Sequence, residues 1–362
     1  MRADGFDSAD WNEIVARLGG EERLEVSARA TGALTRAREV RSAADLLRLA
    51  FMYGPGGQSL RSLAATAGAD GLCQVSDVAL LKRLRRAKDW LAALCREVLC
   101  RNVGVADAPC ASTRPIRIVD SSRLEGPGSR AFRLHLAFDP LAGCIADACL
   151  TGLDQGERLD RLPPQAGAIY LADRGYPQPD GLRRLVEAGA DALVRLTWNS
   201  LRLHDEYDRP LDWPALFAAA RIEGGLDMKV RVRKPRGKFA PLPMRMVVLP
   251  KPPDQAARAR ATASRASRKD QRKRTNPLTL QAAERLILIT SLPADVYDLN
   301  RVAALYRLRW QIELAFKRMK SLLRMDRLPA RSEALASAWL HAHLLFALLV
   351  DAELAQSGDF PP

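Results

Sequence analysis

Histidine is scarce, with four in 362 residues, and no HExxH pair occurs, so zinc-peptidase chemistry and imidazole catalysis have little material. The six cysteines (Cys73, Cys95, Cys100, Cys110, Cys144 and Cys149) include no CxxC pair and no His following at zinc-finger spacing. That excludes the common structural zinc sites and leaves reduced core thiols as the expectation. A Walker phosphate loop is missing, as is the glycine pattern of a dinucleotide-binding turn. The opening residues MRADGFDSADWNEIVARL lack the basic start and apolar stretch of a secretory signal, which makes the cytoplasm the expected location. The most apolar run, ALASAWLHAHLLFALLV at 334–350, is short for a bilayer crossing and holds His341 and His343. It reads as a buried helix, so no membrane partner is expected.

Hydrophobic residues make up 48% of the chain and charged ones 27%, enough to bury a sizeable core in more than one unit. Lys and Arg exceed Asp and Glu by 56 to 42, a net charge of +14 that attracts polyanions, nucleic acid foremost. Half of that excess is local: between Ala256 and Arg274, eight basic residues face the single acid Asp270. A solvated arm and a phosphate-tracking surface both fit such a run; the self-repulsion of the bare charges favours the second.

Up to about residue 105 the apolar positions recur every three or four residues, the mark of helices. One begins near Ser76, a natural N-cap, with Val78, Leu81, Leu84, Leu91, Leu94 and Val98 at helical spacing and Lys82, Arg83, Arg85, Arg86 and Lys88 mostly on the other side. With the shorter helix around SLRSLAATAG it forms either a helix-turn-helix that meets DNA or an ordinary hairpin with a solvated basic face. Beyond Pro115 the rhythm is that of strands: RPIRIVDSSRL, AFRLHLAFDP and GCIADACLTG form an antiparallel series. AIYLADRGY, PDGLRRLVEAGA and DALVRLTW then alternate strand, helix, strand, the order of an RNase H fold. KVRVRKPRGK and PLPMRMVVLP add strands, RLILITSL returns to the sheet, and a long helix is expected from about Asn300 to Leu323. The fold class expected is therefore α/β. An RNase H-like mixed-sheet core spans 115–199 and 284–350 around a β-rich basic insertion at 200–283. A helical N-terminal domain at 1–107 precedes it, and a tail at 351–362 follows.

In that topology Asp120, closing the first strand, and Asp173, closing the fourth, would lie side by side. Phosphodiester cleavage by paired hard cations needs carboxylate oxygens of this kind, and a third from a helix beside the sheet. Asp139, Asp147 and Asp154 also lie near strand ends but fit those positions less well. On the late helix, at 100° per residue, Tyr306, Arg309, Glu313 and Lys320 fall at roughly 0°, 300°, 340° and 320°, one stripe. Glu313 would complete the acid set, Arg309 and Lys320 would grip phosphates, and Tyr306 would meet the DNA backbone or stack on a base. Leu305, Leu308 and Ile312 mark the packing side. A plain charged face with a Glu313–Lys317 pair is the bland alternative.

The stripe has the spacing Y, two residues, R, three residues, E, six residues, K, and so resembles the DDE transposases of bacterial insertion sequences, in the branch marked by that signature. Asp173-Arg174-Gly175-Tyr176 is similar to the family's second-aspartate motif, and VSDVALLKRLRRAKDWL to its N-terminal DNA-binding region; the resemblance spans nearly the whole chain. It implies that Asp120, Asp173 and Glu313 are catalytic and bind two Mg²⁺ ions, which Mn²⁺ could replace. Tyr306, Arg309, Lys320 and Arg174 would contact DNA, as would Lys82, Arg83, Arg85 and Arg86 in the N-terminal domain.

The implied partners are the element's terminal inverted repeats and target DNA, with a homodimer pairing two ends. The separation of 140 positions from Asp173 to Glu313 accommodates the family's β-rich insertion. Alignment of ERLILITS puts Leu286 where a relative stacks an extruded base on Trp, so the stacking residue for a hairpin on the element end is either missing or moved, to Trp198 or Trp213. The resemblance implies cut-and-paste transposition; a decayed, end-binding inhibitor of transposition is the alternative.

Overall fold

The computed structural model describes residues 8–36, 38–104, 114–125, 131–141, 144–234, 240–269, 275–313, 316–317 and 332–357. Helices α1 (Ser8–Arg17), α2 (Gly20–Ala30), α3 (Ala43–Tyr53), α4 (Leu60–Ala69), α5 (Asp77–Arg86) and α6 (Lys88–Gly104) precede the first strand. Several start where a side chain replaces a missing backbone acceptor. Ser42 and Asp45 cap α3 reciprocally, and the hydroxyls of Ser59 and Ser76 accept from the amides of Ser62 and Ala79.

The repeat that predicts one helix from Ser76 onward is divided at Ala87, where α5 ends and α6 begins. Leu80, Leu84, Leu91, Leu94 and Val98 are buried on both sides of the break while Val78 is exposed, so burial continues where the helix does not. Residues 70–76 join α4 to α5, a longer link than the three- or four-residue turn of a helix-turn-helix.

Among the described residues nine strands form one mixed sheet, ordered β3-β2-β1-β4-β5-β9-β8-β7-β6. β1 (Ile116–Glu125), β2 (Ala131–Asp139) and β3 (Cys144–Gly152) run antiparallel, as their turn signals predict. β4 (Ile169–Ala172) and β5 (Asp191–Leu196), linked by α7 (Pro179–Glu187), run parallel to β1. With the N-terminal helices this is the expected RNase H-like α/β architecture. β6 (Arg202–His204), α8 (Trp213–Ile222), β7 (Leu226–Arg233), β8 (Leu242–Pro250), α9 (Pro253–Lys269) and α10 (Pro277–Ala283) follow, before β9 (Arg285–Thr290) enters between β5 and β8. The same sheet thus runs on through the β-rich segment. The basic stretch beginning at Ala256 is helical as far as α9 extends, with Arg258 near Asp254 (3.9 Å) and Arg260 paired to Glu284 (3.0 Å); residues 270–274 lie outside the described residues.

Alternation along the strands serves two cores. Ile116, Ile118, Leu134, Leu136, Leu171 and Leu193 face the N-terminal helices and the final helix α12 (Glu333–Ser357). Val119, Ala137, Tyr170, Ala172 and Val194 face α7 and α8. Each buried Val, Leu or Ile among them contributes roughly 1.5–3 kcal/mol by leaving water, so the sheet is fixed in register from both sides. No described helix, α12 included, is long and apolar enough to cross a membrane.

The long late helix expected from Asn300 is interrupted. α11 (Leu299–Arg307), capped by Asp298, ends in a turn at Leu308 and Arg309, and residues 310–313 and 316–317 are helical again. The cause is local: the Arg309 amide donates to the carbonyl of Tyr306, three residues back, which tightens the helix there. Lys320 lies outside the described residues.

Candidate functional site

Two acids occupy the same step of two adjacent strands. β1 and β4 pair in parallel up to Val119 opposite Ala172, and the next residue on each chain is an aspartate, Asp120 and Asp173. β1 continues to Glu125 paired with β2, so Asp120 stands beside a notch that opens where β4 stops. Asp120 Oδ1 accepts from the Ser121 amide at 2.8 Å. Burial pushes its carboxyl up to about 6. The Ser121 amide and the charge of Arg309 offset part of this, and the negative charges of Glu157 and Asp173 add to it. Burial also works against the ionised form of Asp173. There the Arg174 amide and the charges of Arg195, Arg309 and Arg174 outweigh it and hold the carboxyl below the ordinary range. Neighbouring carboxyls with opposed shifts mark many functional sites.

The chain after β9 closes over this pair. Tyr306 is 7% exposed and its Oη donates to Asp173 Oδ1 at 3.2 Å, so its ring is packed inward rather than offered to a base. Arg195 on β5 approaches the same Asp173 oxygen at 3.5 Å. Arg309 Nη2 donates to Glu313 Oε1 at 2.6 Å, and the two charges reinforce each other in a half-buried setting. Asp120, Asp173, Tyr306, Arg309 and Glu313 therefore belong to one neighbourhood linked by contacts and fields. No three acids or other metal-ligating side chains among the described residues stand close enough to hold a metal ion as they are, and Glu313 is turned to Arg309. The donor chemistry nonetheless fits a hard divalent cation: Asp120 offers a half-buried carboxyl that no cation hydrogen-bonds among the described residues, and all three acids present oxygen.

The remaining residues singled out from sequence lie apart. Arg174 is exposed directly after Asp173. On α5, Lys82, Arg85 and Arg86 are exposed; Arg85 donates to Ser332 Oγ at 3.0 Å, and the half-buried Arg83 donates to the Arg36 carbonyl at 3.1 Å. Trp198 donates to Thr279 at 3.2 Å and Trp213 packs on Phe217, both against the second core, while Leu286 packs against the first. Asp139 holds the buried Arg117 at 2.5 Å, Asp147 is half-buried on β3, and Asp154 is exposed beyond it.

Four residues escape sequence reasoning. Trp310 is 59% exposed beside Arg309; it stands inside the signature helix, which was the available signal. Arg195 sits in an apolar strand, where a charged residue on a central strand is itself a flag. Lys251, whose amine burial and the charges of Arg195 and Arg174 push down to about 8, follows β8 without any pattern. Glu157, in a polar connection, accepts from Ser121 and Arg133, and its charge bears on Asp120.

Residues 111–349 match the family of the transposase DDE domain. The chain is 41% identical over 362 residues to InsL of insertion sequence element IS186A of Escherichia coli K12, with 99% of this chain and 97% of the relative covered. It is also 41% identical to the transposase for insertion sequence element IS421 of Escherichia coli, with the same coverage. A strand-end aspartate pair, a late helix that delivers a tyrosine to one of them, and likeness over the full length converge: the chain belongs to the DDE transposase family.

Proposed function

We propose that this transposase cleaves DNA at the ends of its insertion sequence and transfers the freed strand into target DNA, with Asp120, Asp173 and Glu313 as its catalytic acids. The observation that carries the proposal is the placement of two aspartates at one step of adjacent parallel strands, with Tyr306 fixing the second. Divalent cations, Mg²⁺ or Mn²⁺, when bound, would activate the attacking oxygen and stabilise the leaving one. The chain's own work is positional. Tyr306 and Arg195 orient Asp173, and the Ser121 amide orients Asp120. Arg309 holds Glu313 in reserve and offers its guanidinium to phosphate. Arg174, Lys320 and the exposed cations of α5 and α9 would track the DNA backbone. Trp310, exposed beside Arg309, is the aromatic best disposed to stack on a base. The spacing of Tyr306, Arg309, Glu313 and Lys320 supports membership of the branch that bears this signature. Two ends must be joined, so a homodimer is the working unit, acting where chromosomal DNA is.

The test is strand cleavage of the element's terminal repeats in Mg²⁺, resolved on a denaturing gel. Wild type should nick and then join strands, and Asp120→Ala should do neither. A wild type that binds ends but cuts no better than Asp120→Ala would instead identify an end-binding inhibitor.

A further inference from the structure

We propose that Glu157 is a positioning residue for Asp120, and that Gly175 of the Asp-Arg-Gly-Tyr segment is a glycine because Glu157 occupies the space of its side chain. The inference rests on the assignment of Asp120 to a divalent-cation site.

Glu157 lies in the connection between β3 and the single helical turn Leu159–Arg161. Its Oε1 accepts from Ser121 Oγ and from Arg133 Nη1, both at 2.8 Å, and its backbone carbonyl accepts from Gln178 Nε2 at 2.6 Å. Ser121 is thus held at two points, because its amide donates to Asp120 Oδ1 at 2.8 Å while its hydroxyl donates to Glu157. The route from Arg133 through Glu157 and Ser121 ends on the first aspartate. It crosses the part of β1 that has β2 on one side and the notch on the other, where ladder hydrogen bonds alone fix the backbone least.

Two residues of the Asp173 segment are shaped to this route. A Cβ on Gly175 would stand 1.9 Å from Glu157 Oε2. Gly175 is not among the glycines of positive φ, so the requirement is room and not backbone conformation. Tyr176 is 1% exposed, and its hydroxyl lies among the same groups, with the charges of Asp120 and Glu157 and the Ser121 hydroxyl all bearing on it. If Glu157 served only to neutralise Arg133, neither the link through Ser121 to Asp120 nor the cleared space at Gly175 would be needed.

The experiment is Mn²⁺ binding to the full chain without DNA, followed by electron paramagnetic resonance, with thermal unfolding as a control for folding. Asp120→Asn should abolish binding at the site. Glu157→Ala and Gly175→Ala should each weaken it by about tenfold, the usual scale for groups that orient a ligand. Their combination should be no weaker than either alone, since the alanine at 175 acts by displacing the same carboxylate. Glu157→Gln, whose amide oxygen still accepts from Ser121, should stay within about threefold of wild type and is the variant least apt to misfold. Wild-type affinity in Glu157→Ala and Gly175→Ala, with binding lost in Asp120→Asn, would overturn this inference alone. Unchanged binding in Asp120→Asn would overturn the cation-site assignment beneath it. A Glu157→Gln as weak as Glu157→Ala would also overturn the positioning role, by showing that charge and not hydrogen bonding is what matters.

Discussion

Tyr306 Oη donates to Asp173 Oδ1 across 3.2 Å, joining two residues 133 positions apart in the chain. That one bond ties the tyrosine of the late helix to the aspartate of the fourth strand. It gives a physical reason for a tyrosine at this position that does not require contact with DNA. Replacing it by Phe keeps the ring and removes the bond.

Tyr306→Phe should slow terminal-repeat nicking by roughly tenfold or more, since a hydrogen bond to a charged group is worth about 1.5–3 kcal/mol. Melting of the protein should shift little, because Arg195 and the Arg174 amide still face Asp173. Nicking at the wild-type rate would show that the bond does not serve the reaction.

Arg309 is half-buried, its charge bears on both Asp120 and Asp173, and it holds Glu313 at 2.6 Å. If it also takes a phosphate, Arg309→Ala should make the dependence of DNA affinity on salt shallower by about one unit in log–log slope, measured without divalent ions. An unchanged slope would remove it from the DNA contacts.

How much of this was legible in sequence depends on the range of the forces involved. Asp120 and Asp173 could be placed because turn residues bound each strand and the strand order sets which ends meet. The breaks at Ala87 and at Leu308–Arg309 could not: Leu84 and Leu91, or Leu305 and Ile312, keep a helical spacing across a one-turn tightening that leaves the apolar pattern intact. The stripe suggests a role for Tyr306 toward DNA but carries no sign of its bond to Asp173, which comes from a strand 133 positions away. Glu157 left no trace, since it lies in a polar connection and every contact that gives it meaning comes from another strand or loop.

Asp139 illustrates the opposite case, an acid near a strand end with a structural role. Its carboxylate meets Arg117, buried with it, and Arg117 also reaches Gln165 at 2.8 Å. Asp139→Ala should destabilise the fold by about 3–5 kcal/mol by leaving a buried cation unpaired, while Mn²⁺ affinity per folded molecule stays unchanged. Chemical denaturation and Mn²⁺ titration together check this; loss of affinity without loss of stability would contradict it.

His135 supplies a pH dependence away from the acids. Burial, with the charges of Arg161 and Arg133, pushes its imidazole down to about 4, and its Nε2 faces Thr151 Oγ1 at 2.9 Å. The unfolded chain, with an ordinary value near 6.5, binds more protons between those two pH values. Stability is therefore complete above about 6.5 and falls as pH drops toward 4. His135→Gln should lose about 2 kcal/mol less than wild type between pH 7 and pH 4.5, read by denaturant unfolding at each pH. Parallel losses in the two proteins would exclude His135 as the cause.

The central claim, that Asp120, Asp173 and Glu313 act as one unit, is met most directly by single-turnover nicking of preformed end complexes. Asp120→Asn, Asp173→Asn and Glu313→Gln should each slow the step by roughly 10³-fold or more, and any pair of them should be no slower than one, as for residues that act together. A variant among the three that binds the ends normally and nicks within tenfold of wild type would contradict the account.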